Sequence, residues 1–400
     1  MLIKGARVFN NGRFINADIR VKDGKISEMI TDAAKGKASD EDILDRSGYK
    51  IIPGLIDIHT HGRIGLDFTT ASEDEIHRVL RDYLKAGVTG VLATVMTNDK
   101  SILLAAFERI GRMIREQRES AGAIAGGEGS GANNCEHPET AQEATILGIN
   151  FEGVWLAPKK RGAHLEEYLE LPTVERFDEY YRASDSNIRL ATIAPELEGA
   201  VELISLKKDL VHFSLGHSEA SYEEALKAAG AGADHATHLF NAMPALGHRL
   251  PGLAGAVLDK GLYTEIITDG YHVHPALIRM VFDINGDNTV LISDSIAPAG
   301  LENGVYTSGG QQVTAKDGKI LTSDGTIAGS GISLFEGLKL CVTQFGIDEE
   351  KAVKAASYNA AASVGLAGAA GEIAVGRNAD MIVIDEEYNI IDIFKNGIRL

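Results

Sequence analysis

The hydrophobic pattern of this chain changes character twice. Over the first 50 residues, apolar and polar positions alternate in short runs (Ala6 to Phe9, Phe14 to Val21, Lys25 to Ile30), separated by Asn11-Gly12 and Asp23-Gly24. Period-two alternation punctuated by such pairs predicts strands joined by tight hairpins. From there on, segments of strand length, most of them rich in apolar residues, take over as expected strands: Ile52–His59, Gly90–Val95, Leu147–Phe151, Ile188–Ile193, Val211–Leu215, Ala233–Thr237, Tyr263–Thr268 and Val290–Ser293. Helical patterns such as Glu73–Ala86, Lys100–Gln117, Tyr222–Ala229 and Pro275–Phe282 fall between most of them. Eight strand–helix alternations predict an α/β fold, a (β/α)8 TIM-like barrel, with its site at the C-terminal ends of the strands. Short strands return at the end of the chain, Met381 to Asp385 and Ile390 to Phe394, the latter before Asn396-Gly397. The two β-rich ends are expected to form a small β-sandwich, giving residues 1–52 and 356–400 to the sandwich and 53–355 to the barrel.

Two segments break the alternation. Glu119 to Thr145 is rich in Gly, Ala and Ser and reads as a surface loop, with an active-site lid as the alternative. Tyr306 to Gly325 has a β-like pattern after the eighth strand, and the terminal sandwich is its candidate partner.

Composition narrows the function. The 400 residues are 44% hydrophobic and 24% charged, enough for a large core plus a smaller domain. A net charge of -18 argues against nucleic acid or an anionic membrane as partner, while leaving room for an anionic small substrate in a locally positive pocket. Two cysteines, Cys135 and Cys341, give no disulfide framework, which favours a reducing cytoplasm. Met1 to Arg7 is not followed by the apolar stretch of a signal peptide, and no run approaches the roughly 18 apolar residues that span a membrane.

The chemistry lies where the strands end. The first barrel strand runs Ile51-Ile52-Pro53-Gly54-Leu55-Ile56-Asp57-Ile58-His59-Thr60-His61-Gly62. Strict alternation would put Asp57, His59 and His61 on one side and Ile56, Ile58 and Thr60 on the other. Strand three ends in Glu152, strand five in His217, strand six in His238 and strand eight in Asp294. A glutamate and two histidines hold a divalent ion with one position open for water, whose pKa the ion lowers. A nearby carboxylate then moves the proton, and Asp294 is the candidate because strand eight closes the barrel beside strand one. His235 is the weaker candidate ligand of its stretch, three residues from His238 and on the opposite strand face.

These residues lie in longer blocks: Thr192-Ile193-Ala194-Pro195-Glu196, Gly216-His217-Ser218, Ala236-Thr237-His238-Leu239-Phe240-Asn241-Ala242-Met243-Pro244, Arg249-Leu250-Pro251-Gly252-Leu253-Ala254-Gly255, Asp269-Gly270-Tyr271-His272-Val273 and Ser293-Asp294-Ser295-Ile296-Ala297-Pro298. With them the chain resembles the amidohydrolase superfamily and, within it, the N-acetylglucosamine-6-phosphate deacetylase family, over nearly its whole length. The resemblance implies that Glu152, His217 and His238 bind the principal metal and that Asp294 is the catalytic acid/base. It implies that His164 contacts the acetamido group, His272 contacts the sugar, and the backbone at Asn241 and Ala242 approaches the phosphate. Arg249 would pair with the phosphate across a subunit interface, which implies a homodimer; an arginine fork suits that anion. A second ion on His59 and His61, bridged by Glu152, is one expectation; a single ion, with the pair in support, is the other. Glu and His donors fit zinc or iron best, with manganese or cobalt as alternatives.

The sequence departs from the family pattern at Asn150, where a histidine is usual two residues before the glutamate, and at Val154, Arg63 and Ala360. The implied activity is deacetylation of N-acetyl-D-glucosamine 6-phosphate. Alternatives are the galactosamine epimer, another amidohydrolase activity, or a non-catalytic scaffold. Cyclic-amidase relatives carry a lysine on strand four, and Arg189 to Ala194 contains none.

Overall fold

In the computed structural model, residues 1–31, 42–125 and 142–400 are described. Eight parallel strands form one sheet in sequence order: Leu55–Thr60, Val88–Met96, Thr145–Glu152, Ile188–Ile193, His212–Leu215, His235–Ala236, Tyr263–Ile267 and Thr289–Ile292. The end of strand eight bonds back to strand one. The Asp294 N–H donates to the His59 carbonyl at 3.0 Å, and the Ser293 N–H to Asp57 Oδ1 at 3.3 Å. The barrel expected from the alternation is therefore present.

Ile56, Ile58, Leu92, Leu190, Ile267, Val290 and Ile292 cluster inside it, joined by Ala360, Ala361, Val364 and Leu366 from the helix Tyr358–Ser363 and the turn after it. A separate and larger cluster fills the space between the strands and the surrounding helices. The first of those helices, Glu73–Lys85, shows how its sequence specifies it. Ser72 and Glu75 form a reciprocal capping box, and Ile76, Val79, Leu80, Tyr83 and Leu84 are its buried face.

The terminal segments form a nine-stranded sheet that curls around its own core of Ile3, Val8, Ile19, Ile26, Ile51, Met381, Val383 and Phe394. The strand Arg13–Lys22 pairs with both Leu2–Lys4 and Arg7–Asn10 and so links the two halves. Its burial alternates from Ala17 to Val21, as its period predicts.

Four expectations are corrected. The run Ile52–His59 is not one strand: Lys50–Pro53 pairs with Met381–Ile384 in the terminal sheet, and Leu55 begins the barrel. The break falls at Gly54, whose N–H donates to the Asp380 carbonyl and where a Cβ would collide with Thr89. The alternation on strand one also resets. Val91 faces Asp57 but Ala93 faces Thr60, so the ladder skips a residue. Ile58 therefore packs inside the barrel, whereas Thr60 bonds outward to the Tyr83 hydroxyl.

The helix from Lys100 continues to Ala125, past the expected end at Gln117, because the Ala-rich start of the supposed loop is a good helix former. The rest of that loop, and with it the lid reading, lies outside the described residues. The patch after strand eight does not join the terminal sheet. It forms its own antiparallel sheet of Gly304–Ser308, Gln311–Lys316, Lys319–Thr322 and Ile327–Ser330. This sheet sits at the barrel mouth, where Gln311 Nε2 donates to the Ala163 carbonyl at 2.7 Å.

The link between strand one and its following turn is tightly built. Gly62 has φ 151°, and a Cβ there would meet the Leu66 carbonyl oxygen and Asp67 Cα. Gly62→Ala is expected to cost about 1–3 kcal/mol, read as a lower denaturant midpoint at unchanged slope.

Candidate active site

Seven side chains, six from strand ends and one from a loop, meet at the mouth. Glu152, at the end of strand three, is buried at 2% exposure and lies at their centre. Its Oε1 is 2.9 Å from His238 Nε2, 3.1 Å from His217 Nε2 and 3.4 Å from His59 Nε2. Its Oε2 is 3.1 Å from His61 Nε2 and 3.4 Å from His164 Nε2. Asp294 Oδ1 stands 3.3 Å from His61 Nε2 and 3.7 Å from His59 Nε2. The metal-ligand candidates read from the sequence are thus brought together with Asp294 and His164.

Local backbone geometry turns these groups inward. His217, His238 and Asp294 follow their strands with φ of 46°, 27° and 48°, a left-handed conformation uncommon for residues with a Cβ. Such backbone persists only where its surroundings over-determine it, and it clusters at functional sites. Ring orientation is fixed from behind. His217 Nδ1 bonds the Lys160 carbonyl at 2.8 Å, His164 Nδ1 bonds Thr97 Oγ1 at 2.8 Å, and His59 Nδ1 bonds Glu265 Oε2 at 2.8 Å.

The donors fit a divalent cation better than they fit one another. His217 Nε2 and His238 Nε2 are 3.0 Å apart, and both face the same Glu152 oxygen. Three electron-rich atoms so placed lack the protons to satisfy every edge, whereas one cation satisfies all three. The buried His59 Nε2 also has no hydrogen-bond partner among the described residues. His59, His61 and Asp294 form one group able to hold an ion, and Glu152, His164 and His217 another.

The electrostatics carry the same demand for positive charge. Burial opposes a charged His61, but its bonds to Asp294 and Glu152 outweigh that and raise it to about 9. Burial likewise opposes charge on His59 and His238, yet the carboxylates raise both above the ordinary imidazole value. His217 goes the other way, pushed down to about 4 by burial. Glu152 is held well below the usual carboxylate range because the imidazoles, His59 first, overcome its desolvation.

The remaining sequence candidates lie apart from this cluster. His272 Nδ1 bonds Asp269 Oδ2 at 2.6 Å, which fixes the ring and leaves Nε2 available. Asn241 donates to the carbonyls of His238 and Leu239, in a turn where Phe240 and Ala242 have φ of 77° and 50°. Arg249 is exposed beside Leu250, itself 83% exposed, and has no acidic partner among the described residues. Beside His164, a polar cavity of about 140 Å³ opens between Arg161 and Leu165 and the inserted strands at Gln311, Thr322 and Thr326.

His235 is buried away from the cluster, its Nδ1 on Asp234 Oδ1 at 2.7 Å. Asp57 bonds main-chain N–H groups of His59 and Ser293. Sequence reasoning missed Glu265, Thr97 and the Lys160 carbonyl. Only Glu265 left a signal, a lone acid inside the strand Tyr263–Ile267.

Comparison with known proteins gives a consistent picture. The model of the amidohydrolase family matches residues 51–399. An N-acetylglucosamine-6-phosphate deacetylase of Bacillus subtilis is 33% identical over 395 residues, covering 98% of this chain and 94% of that protein. An N-acetylgalactosamine-6-phosphate deacetylase of Escherichia coli O157:H7 is 32% identical, covering 89% of each. Among solved structures, a variant of N-acetyl-D-glucosamine-6-phosphate deacetylase from Mycobacterium smegmatis, in complex with N-acetyl-D-glucosamine-6-phosphate, aligns with a TM-score of 0.87 at 27% identity. That alignment covers 100% of this chain and 98% of that one.

Proposed function

The chain belongs to the amidohydrolase family, and on that premise we propose that it hydrolyses the acetamido group of N-acetyl-D-glucosamine 6-phosphate to D-glucosamine 6-phosphate and acetate. The observation that carries this reading is the ring of five imidazoles around Glu152 with Asp294 beside it. Glu152, His217 and His238 would hold the principal divalent ion, zinc or iron by donor type with manganese or cobalt as alternatives, and His59 and His61 a second. When bound, such an ion supplies Lewis acidity that polarises the amide carbonyl and makes water acidic near neutral pH.

The protein's own groups complete the reaction. Asp294 takes a proton from the attacking water as the C–O bond forms, then gives it to the departing nitrogen as the C–N bond breaks. The Thr97 hydroxyl can donate to His164 Nδ1, leaving Nε2–H to donate to the carbonyl oxygen as charge develops there. The polar cavity beside His164 suits a sugar ring. His272, fixed by Asp269, would contact the ring hydroxyls, and the backbone of Asn241 and Ala242 the phosphate.

Arg249, exposed and without an acidic partner among the described residues, supports a homodimer in which it reaches the neighbouring subunit's phosphate. Among the described residues no helix is long and apolar enough to cross a membrane. With an amino-sugar substrate, that is in keeping with a cytoplasmic enzyme of amino-sugar catabolism. A second reading, the galactosamine 6-phosphate epimer, is favoured by the 32% identity to a deacetylase of that sugar.

The test is a steady-state panel of N-acetyl hexosamines, with and without the 6-phosphate, on protein loaded with defined metals. The glucosamine 6-phosphate derivative is expected to give the highest kcat/KM. A panel in which no phosphorylated N-acetyl hexosamine turns over overturns the reading. Arg249→Gln is expected to raise KM for the phosphorylated sugar about 10- to 100-fold, the worth of one charge-assisted bond, with little change for the unphosphorylated one. Equal effects on both would exclude a phosphate contact.

A further inference from the structure

Glu265 is fully buried in the middle of strand seven. A carboxylate so placed needs compensation from close partners. It has two. Its Oε2 lies 2.8 Å from His59 Nδ1 and accepts the backbone N–H of His238 at 3.2 Å, while its own carbonyl accepts the Leu239 N–H at 2.8 Å. One residue therefore clamps the strained turn that carries His238 and also sets the ring of His59.

The consequence for His59 is specific. In the neutral, ligating form of the ring, donating Nδ1–H to Glu265 leaves the lone pair on Nε2. That atom is 3.4 Å from Glu152 Oε1 and 3.7 Å from Asp294 Oδ1, with no hydrogen-bond partner among the described residues. A lone pair facing two carboxylate oxygens is repulsive unless a cation stands among them. His61 Nε2 faces the same two carboxylates at 3.1 and 3.3 Å.

We infer that Glu265 is a positioning residue: it fixes His59 in the ligand tautomer for a second divalent ion shared with His61, Glu152 and Asp294. This rests on the metal-hydrolase reading above. It also links the two ion positions, because the carboxylate that orients His59 holds the backbone of His238, a donor to the first.

The test titrates the full chain, freed of metal by chelation, with zinc, and measures ions per subunit by equilibrium dialysis and elemental analysis. The wild type is expected to take two ions. Glu265→Gln is expected to weaken the second about 10- to 100-fold, the usual effect of losing the partner behind a ligating histidine, and to change the first far less. Long-range ¹⁵N NMR of the imidazoles is expected to show His59 leaving its Nδ1–H tautomer in the variant. Glu265→Asp should recover part of the second affinity, and serves as the test should the Gln variant not fold. In a His59→Gln background, Glu265→Gln should no longer alter binding of the second zinc ion. Two ions bound with unchanged affinity in Glu265→Gln overturn the inference, as does a wild type that never exceeds one ion. Turnover of the phosphorylated sugar by such a one-ion wild type would leave the deacetylase reading intact.

Discussion

Asp294→Asn is expected to lower kcat on N-acetyl-D-glucosamine 6-phosphate by about two to four orders of magnitude, the range for losing a positioned general acid–base group. The carboxamide matches the carboxylate in shape and can still accept hydrogen bonds, but it cannot take up the water proton at neutral pH. The backbone that presents it should survive the change. The N–H of residue 294 donates to the His59 carbonyl and its carbonyl accepts the Ser330 N–H, and neither bond involves the side chain. The left-handed φ of 48° is also one that Asn tolerates well. KM is expected to change far less than kcat, because the proton moves only during the reaction. Equal occupancy of the principal ion in both proteins, by elemental analysis, separates the loss of proton transfer from loss of metal. A metal-loaded variant that keeps near wild-type turnover would remove Asp294 from the mechanism.

The same residue shows what the sequence conveys. Glu152, His217, His238 and Asp294 each stand at or just past the end of a strand-length segment, and a polar residue there in a parallel barrel can face the mouth. Their convergence was therefore readable from strand spacing alone. The strand one pair was readable in position but not in detail. The skipped residue between Asp57 and Thr60 depends on how strand two pairs with it, a long-range register that local alternation cannot encode. The inserted sheet was visible as β pattern, yet its partner was not. Alternation reports that one face is buried, not against what, and Gln311 meets Ala163 across 148 residues of sequence. Glu265 was missed because an acid in a strand has no periodic signature, and its role exists only once barrel closure brings strands one, six and seven to one mouth.

Removing the metal is expected to reverse how stability depends on pH. In the chelated protein, His59, His61 and His238 are held above their ordinary value by the surrounding carboxylates, His61 to about 9. Between the unfolded imidazole value, about 6.5, and about 9, the folded state therefore binds more protons than the unfolded chain, so stability falls as pH rises. His217, pushed down to about 4, has the opposite slope, but its contribution is complete by about pH 6.5 and leaves that window untouched. The lowered Glu152 and Asp294 act lower still, stabilising the fold above the ordinary carboxylate range and losing that effect only as pH falls through their folded values. With zinc the slope changes sign. Ligating imidazoles must give up their protons, so the ion binds more tightly as pH rises. At a thousandfold excess over Kd, binding adds about 4 kcal/mol. Thermal unfolding in chelator and in zinc, from pH 6.5 to 9, should give two curves that diverge with pH. Glu152→Gln should flatten the metal-free curve, because it removes the anion common to all three raised imidazoles, and should abolish the increment from zinc. Superimposable curves in the wild type would mean that these side chains do not hold an ion.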